Sequence, residues 1–192
     1  MIELVVFLGN PGKRYERTRH NVAMRLAEAI VERAGERFQK KFGGRMASVR
    51  AGAERKLLVL LPEVYMNRSG ESVGACARYH GTATHDVLVA HDEVELPFGT
   101  IELRRGGGLA GHNGLRSVAQ HLSGKDFARL RIGIGRPKRG EVSSHVLGNF
   151  SPDEEARLRE LERAVEEVLR RLMAGPFDEV AKGVGRHVVF EW

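Results

Sequence analysis

Cysteine and side-chain amides are both scarce in this 192-residue chain, and each shortage narrows its chemistry. The single cysteine, Cys76, allows no intramolecular disulfide and excludes a zinc site built on several thiolates. It lies in the apolar run Gly74-Ala75-Cys76-Ala77 and reads as an inert core thiol. No apolar run approaches the ~20 residues of a membrane span. The N-terminus opens on the strand-like stretch 2–8, without a basic leader or a small-residue cleavage site. A cytoplasmic protein with no membrane partner is therefore expected. No G-x-S-x-G elbow occurs, so nothing supports a serine nucleophile. The chain has no internal repeat, low-complexity tract or linker. Its length suits one well-buried core rather than two, so a single domain over residues 1–192 is expected.

The shortage of amides is the most useful of these absences. There are five Asn and two Gln, and four of the Asn (Asn10, Asn21, Asn67, Asn113) fall in short polar clusters at predicted element ends. The clusters are Gly9-Asn10-Pro11-Gly12 with Thr18-Arg19-His20-Asn21, Tyr65-Met66-Asn67, His91-Asp92-Glu93 and Gly111-His112-Asn113-Gly114. Where amides are otherwise disfavoured, those that remain are needed. Hydrophobic residues make up 42% and charged residues 29%, ordinary values for a globular protein. Lys and Arg number 31 against 25 Asp and Glu, a net charge of +6 that favours a polyanionic partner without requiring one.

Periodicity predicts strands at about 2–8, 45–51, 57–61, 87–91, 100–105 and 129–135, and helices at about 21–34, 67–80, 113–122, 152–174 and 177–183. Gly35 is a suitable C′ glycine for the first helix. Ser151-Pro152-Asp153-Glu154 supplies a cap, a first-turn proline and a capping-box glutamate for the long one. The stretch 136–144 reads as a mobile surface loop. Alternating elements with strands apolar on both faces predict an α/β fold: a three-layer α/β/α sandwich around a mixed, largely parallel sheet. Ligands in such folds sit beyond the carboxyl ends of the strands, where Asn10, His91-Asp92 and the glycine loop after Arg105 would gather.

Gly106-Gly107-Gly108-Leu109-Ala110-Gly111 matches the dinucleotide pattern G-x-G-x-x-G, with Asp126 about twenty residues on. That acid precedes the next strand instead of following it, and no Lys-Ser or Lys-Thr closes the loop as in a phosphate-binding Walker motif. A close backbone approach by phosphate or ribose, beside Arg104 and Arg105, is the plainer meaning. His91-Asp92-Glu93 alternates on a strand, so one carboxylate, Asp92, is aimed at a histidine from another element. The competing reading is an acid that caps the following turn. A lone His20 at a helix start means little alone, and Asn67 reads equally as the N-cap of its helix.

Taken together, Gly9-Asn10-Pro11-Gly12 with Tyr15 and Thr18-Arg19-His20-Asn21, Tyr65-Met66-Asn67-Arg68-Ser69-Gly70, Val89-Ala90-His91-Asp92-Glu93 with Leu96-Pro97-Phe98-Gly99, Gly111-His112-Asn113-Gly114-Leu115 and Arg129-Leu130-Arg131-Ile132-Gly133-Ile134-Gly135 resemble the bacterial peptidyl-tRNA hydrolases. The ordered set spans residues 1 to about 150 at the family's spacing. Ala23 and Ala110 stand where the family usually has glycine, and the tail ending Val188-Val189-Phe190-Glu191-Trp192 looks divergent. The resemblance implies hydrolysis of the ester joining a peptide to the 3′ ribose of tRNA, without metal or cofactor. His20 would be the general base, Asp92 the carboxylate that orients it, and Asn10 and Asn113 further catalytic-site residues. Asn10 and Asn67 would hold the peptide; Tyr15, Tyr65 and Asn113 would line the tRNA 3′ CCA end and the catalytic region, with Met66 among the substrate- and tRNA-binding residues. Arg104 and Arg131 would grip the tRNA 5′ phosphate, and a monomer is the default.

The chemistry is coherent by itself. An activated ester needs a water, a base and donors for the developing oxyanion. A helix N-terminus disfavours imidazolium at His20 while Asp92 favours it, which leaves a base suited to neutral pH. An RNA-binding protein without catalysis would not need His20, Asp92, Asn10 and Asn113 together, and a small-ester esterase would not need Arg104 and Arg131.

Overall fold

The computed structural model describes residues 1–51, 55–137 and 140–192. Eight strands, β1 (Leu4–Phe7), β2 (Gln39–Lys41), β3 (Gly44–Ala51), β4 (Arg55–Pro62), β5 (Val87–Glu93), β6 (Thr100–Arg105), β7 (Ala128–Gly133) and β8 (Arg186–Val188), form one sheet in the order β2-β3-β4-β1-β5-β7-β6-β8. The central β4, β1, β5 and β7 run parallel, and the flanking strands pair antiparallel. The helices are α1 (Val22–Arg33), α2 (Ser69–His80), α3 (Asn113–His121), α4 (Val142–Val146), α5 (Pro152–Ala174) and α6 (Phe177–Val184).

Strand alternation explains the layers. Leu4 and Val6 of β1, with Val87 and Val89 of β5, pack on Val73, Cys76 and Ala77 of α2 and on Leu115 and Val118 of α3. Val5, Phe7, Leu88, Ala90 and Leu130 face the other way, onto Val22, Ala27 and Ile30 of α1 and Leu161 and Val165 of α5. Each fully buried aliphatic side chain of this kind contributes about 1.5–3 kcal/mol, so both faces of the central strands are fixed. Cys76 belongs to this packing, and burial pushes its thiol up to about 11, as expected of an inert core cysteine.

The α2–α3 contact positions the site. The Gly70 N–H donates to Ser117 Oγ at 2.9 Å, and a Cβ at Gly70 would lie 2.0 Å from the Ser117 carbonyl oxygen. Only glycine lets the start of α2 approach α3 so closely. The capping box of α5 forms as predicted, with Glu154 N–H on Ser151 Oγ and Ser151 N–H on the Glu154 carboxylate.

Four features differ from the sequence expectation. Strands β2 and β8 are exposed three-residue edges, held by backbone pairing to β3 and β6 without apolar alternation. Single 3₁₀ turns, Arg19–Asn21 and Met66–Arg68, precede α1 and α2. The expected loop at 136–144 is instead helical over Val142–Val146, and its residues 138–139 lie outside the described residues. The divergent tail closes on the sheet end: Phe190 is buried, and the Phe190 and Trp192 rings each stand 5.3 Å from that of Phe98.

Candidate active site

Strand β5 enters the core as Val87-Leu88-Val89-Ala90 and emerges at its carboxyl end as His91-Asp92-Glu93, three polar residues that are all buried. Burial of a carboxylate is costly unless hydrogen bonds and charges compensate it. Asp92 has both. Its Oδ1 lies 2.8 Å from His20 Nδ1 and 3.0 Å from His112 Nε2.

His112 is the N-cap of α3, and its imidazole does what a serine or aspartate usually does. Nδ1 accepts from the backbone N–H groups of Gly114 and Leu115, at 3.2 and 3.3 Å. A ring nitrogen can accept only when it carries no proton, so the His112 proton is on Nε2 and is donated to Asp92. His20 sits in the 3₁₀ turn held by Thr18, whose N–H and hydroxyl both donate to the Tyr15 carbonyl. With the His20 Nδ1–H committed to Asp92, Nε2 is the nitrogen left with a free lone pair. Burial pulls the His20 pKa down, but the Asp92 charge and hydrogen bond together outweigh it, and the net shift is upward from 6.5. The opposing influence is thus burial. Burial raises the Asp92 carboxyl, and the two facing imidazoles more than reverse this, holding it well below the usual carboxylate range. His91 donates from Nδ1 to the Asp92 carbonyl at 2.8 Å, and burial keeps it neutral.

These groups open onto a cavity of about 280 Å³. His20, Asp92, His112 and Asn113 form its polar side; Val94, Ala110, Val142 and Val146 form an apolar wall. Asn113, the first residue of α3, is exposed at this cavity.

Asn10 is placed differently. It lines a neighbouring cavity of about 170 Å³ with Asn21, Met24 and Arg25, and not the His20 cavity. Its backbone N–H and C=O exchange two 2.8 Å bonds with the Asn21 side chain, and its Oδ1 accepts from Met66 N–H at 2.8 Å. Only its Nδ2 is left to offer a ligand. Met66 itself is buried against the core. Asn67 is exposed in the 3₁₀ turn and is not the N-cap of α2; that position is Arg68, without a side-chain cap bond. Tyr65 is exposed, and the half-buried Tyr15 ring carries the Arg14 guanidinium at 4.5 Å.

The two arginines expected to grip phosphate part ways. Arg104 is exposed and free of ion pairs among the described residues, its guanidinium lying against Gly107 of the glycine loop. Arg131 is buried, with Nε on Glu93 at 2.9 Å and Nη1 on Glu102. Its guanidinium is held by two carboxylates, so Arg131 is less available to a phosphate than Arg104 is. Its neighbour Arg129, also buried, spends its guanidinium on the carbonyls of Gly106 and Gly108 and so shapes the glycine loop.

The sequence alone assigns no role to His112, Asn21 or the α4 residues. His112 and Asn21 had a signal, since each adjoins a singled-out residue within its polar cluster. His20, Asp92 and His112 place three ligand-type atoms within 4.8 Å of one another. The fit to a divalent metal is poor, because a metal on His112 Nε2 would displace the proton that Nδ1 cannot take up while it caps α3.

The family model of the peptidyl-tRNA hydrolases matches residues 4–187. The chain is 43% identical over 172 residues to the peptidyl-tRNA hydrolase of Geotalea daltonii, covering 89% of this chain and 90% of that one. It is 49% identical over 154 residues to the enzyme of Nocardia farcinica, covering 79% of each. The crystal structure of the Acinetobacter baumannii peptidyl-tRNA hydrolase superposes with a TM-score of 0.90 at 35% identity, over 98% of this chain and 97% of the other.

Proposed function

The chain belongs to the peptidyl-tRNA hydrolase family, hydrolases of the ester that joins a peptide to tRNA, and from that premise we propose that His20 is the base of the reaction. A water in the 280 Å³ cavity gives a proton to His20 Nε2 as its oxygen attacks the ester carbonyl. Asp92 keeps the Nδ1–H tautomer and stabilises the imidazolium that forms. The Asn113 amide, at the cavity wall, is the donor for the oxyanion. Collapse of the intermediate breaks the bond to the ribose oxygen, which takes the proton back from His20 and leaves a free peptide acid and a tRNA 3′-hydroxyl. No metal enters this sequence.

Asn10 Nδ2 and the Asn67 amide hold the peptide part, where a free ammonium would be poorly solvated, so blocked aminoacyl groups are preferred. Tyr15 and Tyr65 line the CCA end, and Arg104 contacts phosphate. The observation that carries this reading is the hydrogen-bonded chain from the α3 N-terminus through His112 and Asp92 to His20.

A hydrolysis assay with N-acetylaminoacyl-tRNA and a chelator tests it. His20→Ala is expected to lower kcat by about 10²–10⁴-fold while tRNA binding stays nearly intact. Undiminished turnover by that variant removes His20 from the role of base.

A further inference from the structure

Arg19 precedes the base by one residue, and its side chain joins parts of the molecule that are far apart in sequence. The Arg19 N–H donates to the Gly148 carbonyl at 2.9 Å, Nη2 to Glu154 Oε2 at 2.6 Å, and Nη1 to the Asn149 carbonyl. Thr18 bridges Asn149 through the backbone, and the Arg19 guanidinium stands 5.2 Å from the Phe150 ring. The side chain is only 13% exposed. Its anchor Glu154 is also the capping-box residue of α5, the same Oε2 accepting from Ser151 N–H at 2.7 Å. One guanidinium therefore ties the turn that carries His20 to the α4–α5 connection. Immediately before that connection, Val142, Ser143 and Val146 of α4 form the cavity wall that His20 helps to close.

We propose that Arg19 is a positioning residue for the hydrolysis: it sets where the His20 ring stands relative to Asp92 and to the α4 wall. This rests on the reading of His20 as the base. Arg19 touches no reacting atom. The hydrogen bond to Asp92 fixes one atom of the imidazole but not the path of the backbone that carries it. A rigid two-pronged guanidinium supplies that second constraint, and an ammonium can satisfy only one prong at a time. Misplacement of a reacting group by about 1 Å costs up to 10²-fold in rate.

The test is steady-state hydrolysis of N-acetylaminoacyl-tRNA by the full chain, with melting temperatures and pH profiles of kcat/KM for four variants. Arg19→Ala is expected to lower kcat by about 10–100-fold with KM little changed. Its acid limb should move to lower pH, because a loosened His20 loses part of the Asp92 contribution. Arg19→Lys should recover part of the rate. Ser151→Ala removes a cap of α5 without touching Arg19, so it should lower the melting temperature and leave kcat unchanged. Should Arg19→Ala fail to fold, Glu154→Gln serves. It keeps a capping-box side chain but removes the charge facing Arg19, and a several-fold loss of kcat at near-native stability is expected.

Wild-type kcat and an unshifted acid limb in Arg19→Ala, or in Glu154→Gln if the former does not fold, overturn the proposal. So does a loss of kcat in Ser151→Ala equal to that in Arg19→Ala. Full activity in His20→Ala would instead sink the reading of the base, which separates the two failures.

Discussion

Asp92 and Glu93 stand side by side at the end of β5, each 4% exposed, yet the two halves of the sheet end that meet there neutralise them by different means. Asp92 faces imidazoles, His20 and His112. Glu93 faces a guanidinium, Arg131, which it shares with Glu102 across the strand pair. A guanidinium stays charged at any pH the fold survives, so the Glu93 half is permanent architecture. The His20 imidazole keeps a free Nε2 that can take a proton and return it, so the Asp92 half can do chemistry. Adjacent carboxylates of equal burial thus acquire different roles from their partners alone.

Replacing one partner at a time should separate the halves. The largest effect is expected from Asp92→Asn, which removes the charge that supports imidazolium and lets an amide N–H meet a ring nitrogen. A fall in kcat on the order of 10³–10⁴-fold is expected, read by hydrolysis of blocked aminoacyl-tRNA. Arg131→Ala should instead act on stability, leaving the buried Glu93 carboxylate without its guanidinium and Glu102 with Arg186 alone. A loss of about 3–5 kcal/mol is expected, measured by urea denaturation. The companion variant Arg104→Ala should leave stability intact and flatten the salt dependence of tRNA binding by about one phosphate contact. A flattened salt dependence in Arg131→Ala at unchanged stability would make Arg131 a phosphate ligand after all and dissolve the contrast.

The smallest effect concerns the loop that delivers His112 to the Asp92 half. Ala110 holds φ +47°, in the left-handed region, where glycine carries no steric penalty. Ala110→Gly should raise stability by about 1 kcal/mol, a shift visible in a thermal melt.

Much of the fold and of the site is legible in local sequence. The strands of the central sheet announce themselves because both faces are buried, and α5 because its cap, proline and glutamate are contiguous. His20 and Asp92 stand out as candidates because one opens a helix and the other closes a strand, each next to other polar residues, and the scarcity of amides points to Asn10, Asn67 and Asn113. The fate of Arg131 was not legible. It depends on the antiparallel register that sets Arg131 opposite Glu102 and on the proximity of Glu93, which is long-range information. The capping role of His112 was hidden for a different reason, since imidazole is an unusual N-cap and only the geometry reveals which nitrogen accepts. Edge strands β2 and β8 have no apolar pattern to read, being held by backbone pairing. The short α4 gains its meaning only from the cavity beside it.

The central claim is that Asp92 holds His20 as a base whose pKa lies above the ordinary imidazole value. The pH dependence of kcat/KM for N-acetylaminoacyl-tRNA, in the wild type and in Asp92→Asn, reads this directly, since its acid limb reports the base of the free enzyme. Because the reaction needs neutral His20 and Asp92 favours the charged form, activity should fall as pH drops through an apparent pKa above 6.5. In Asp92→Asn the residual activity should persist to lower pH, as burial alone would then pull His20 down. An acid limb at or below 6.5 in the wild type, or one that does not move in Asp92→Asn, would contradict the account.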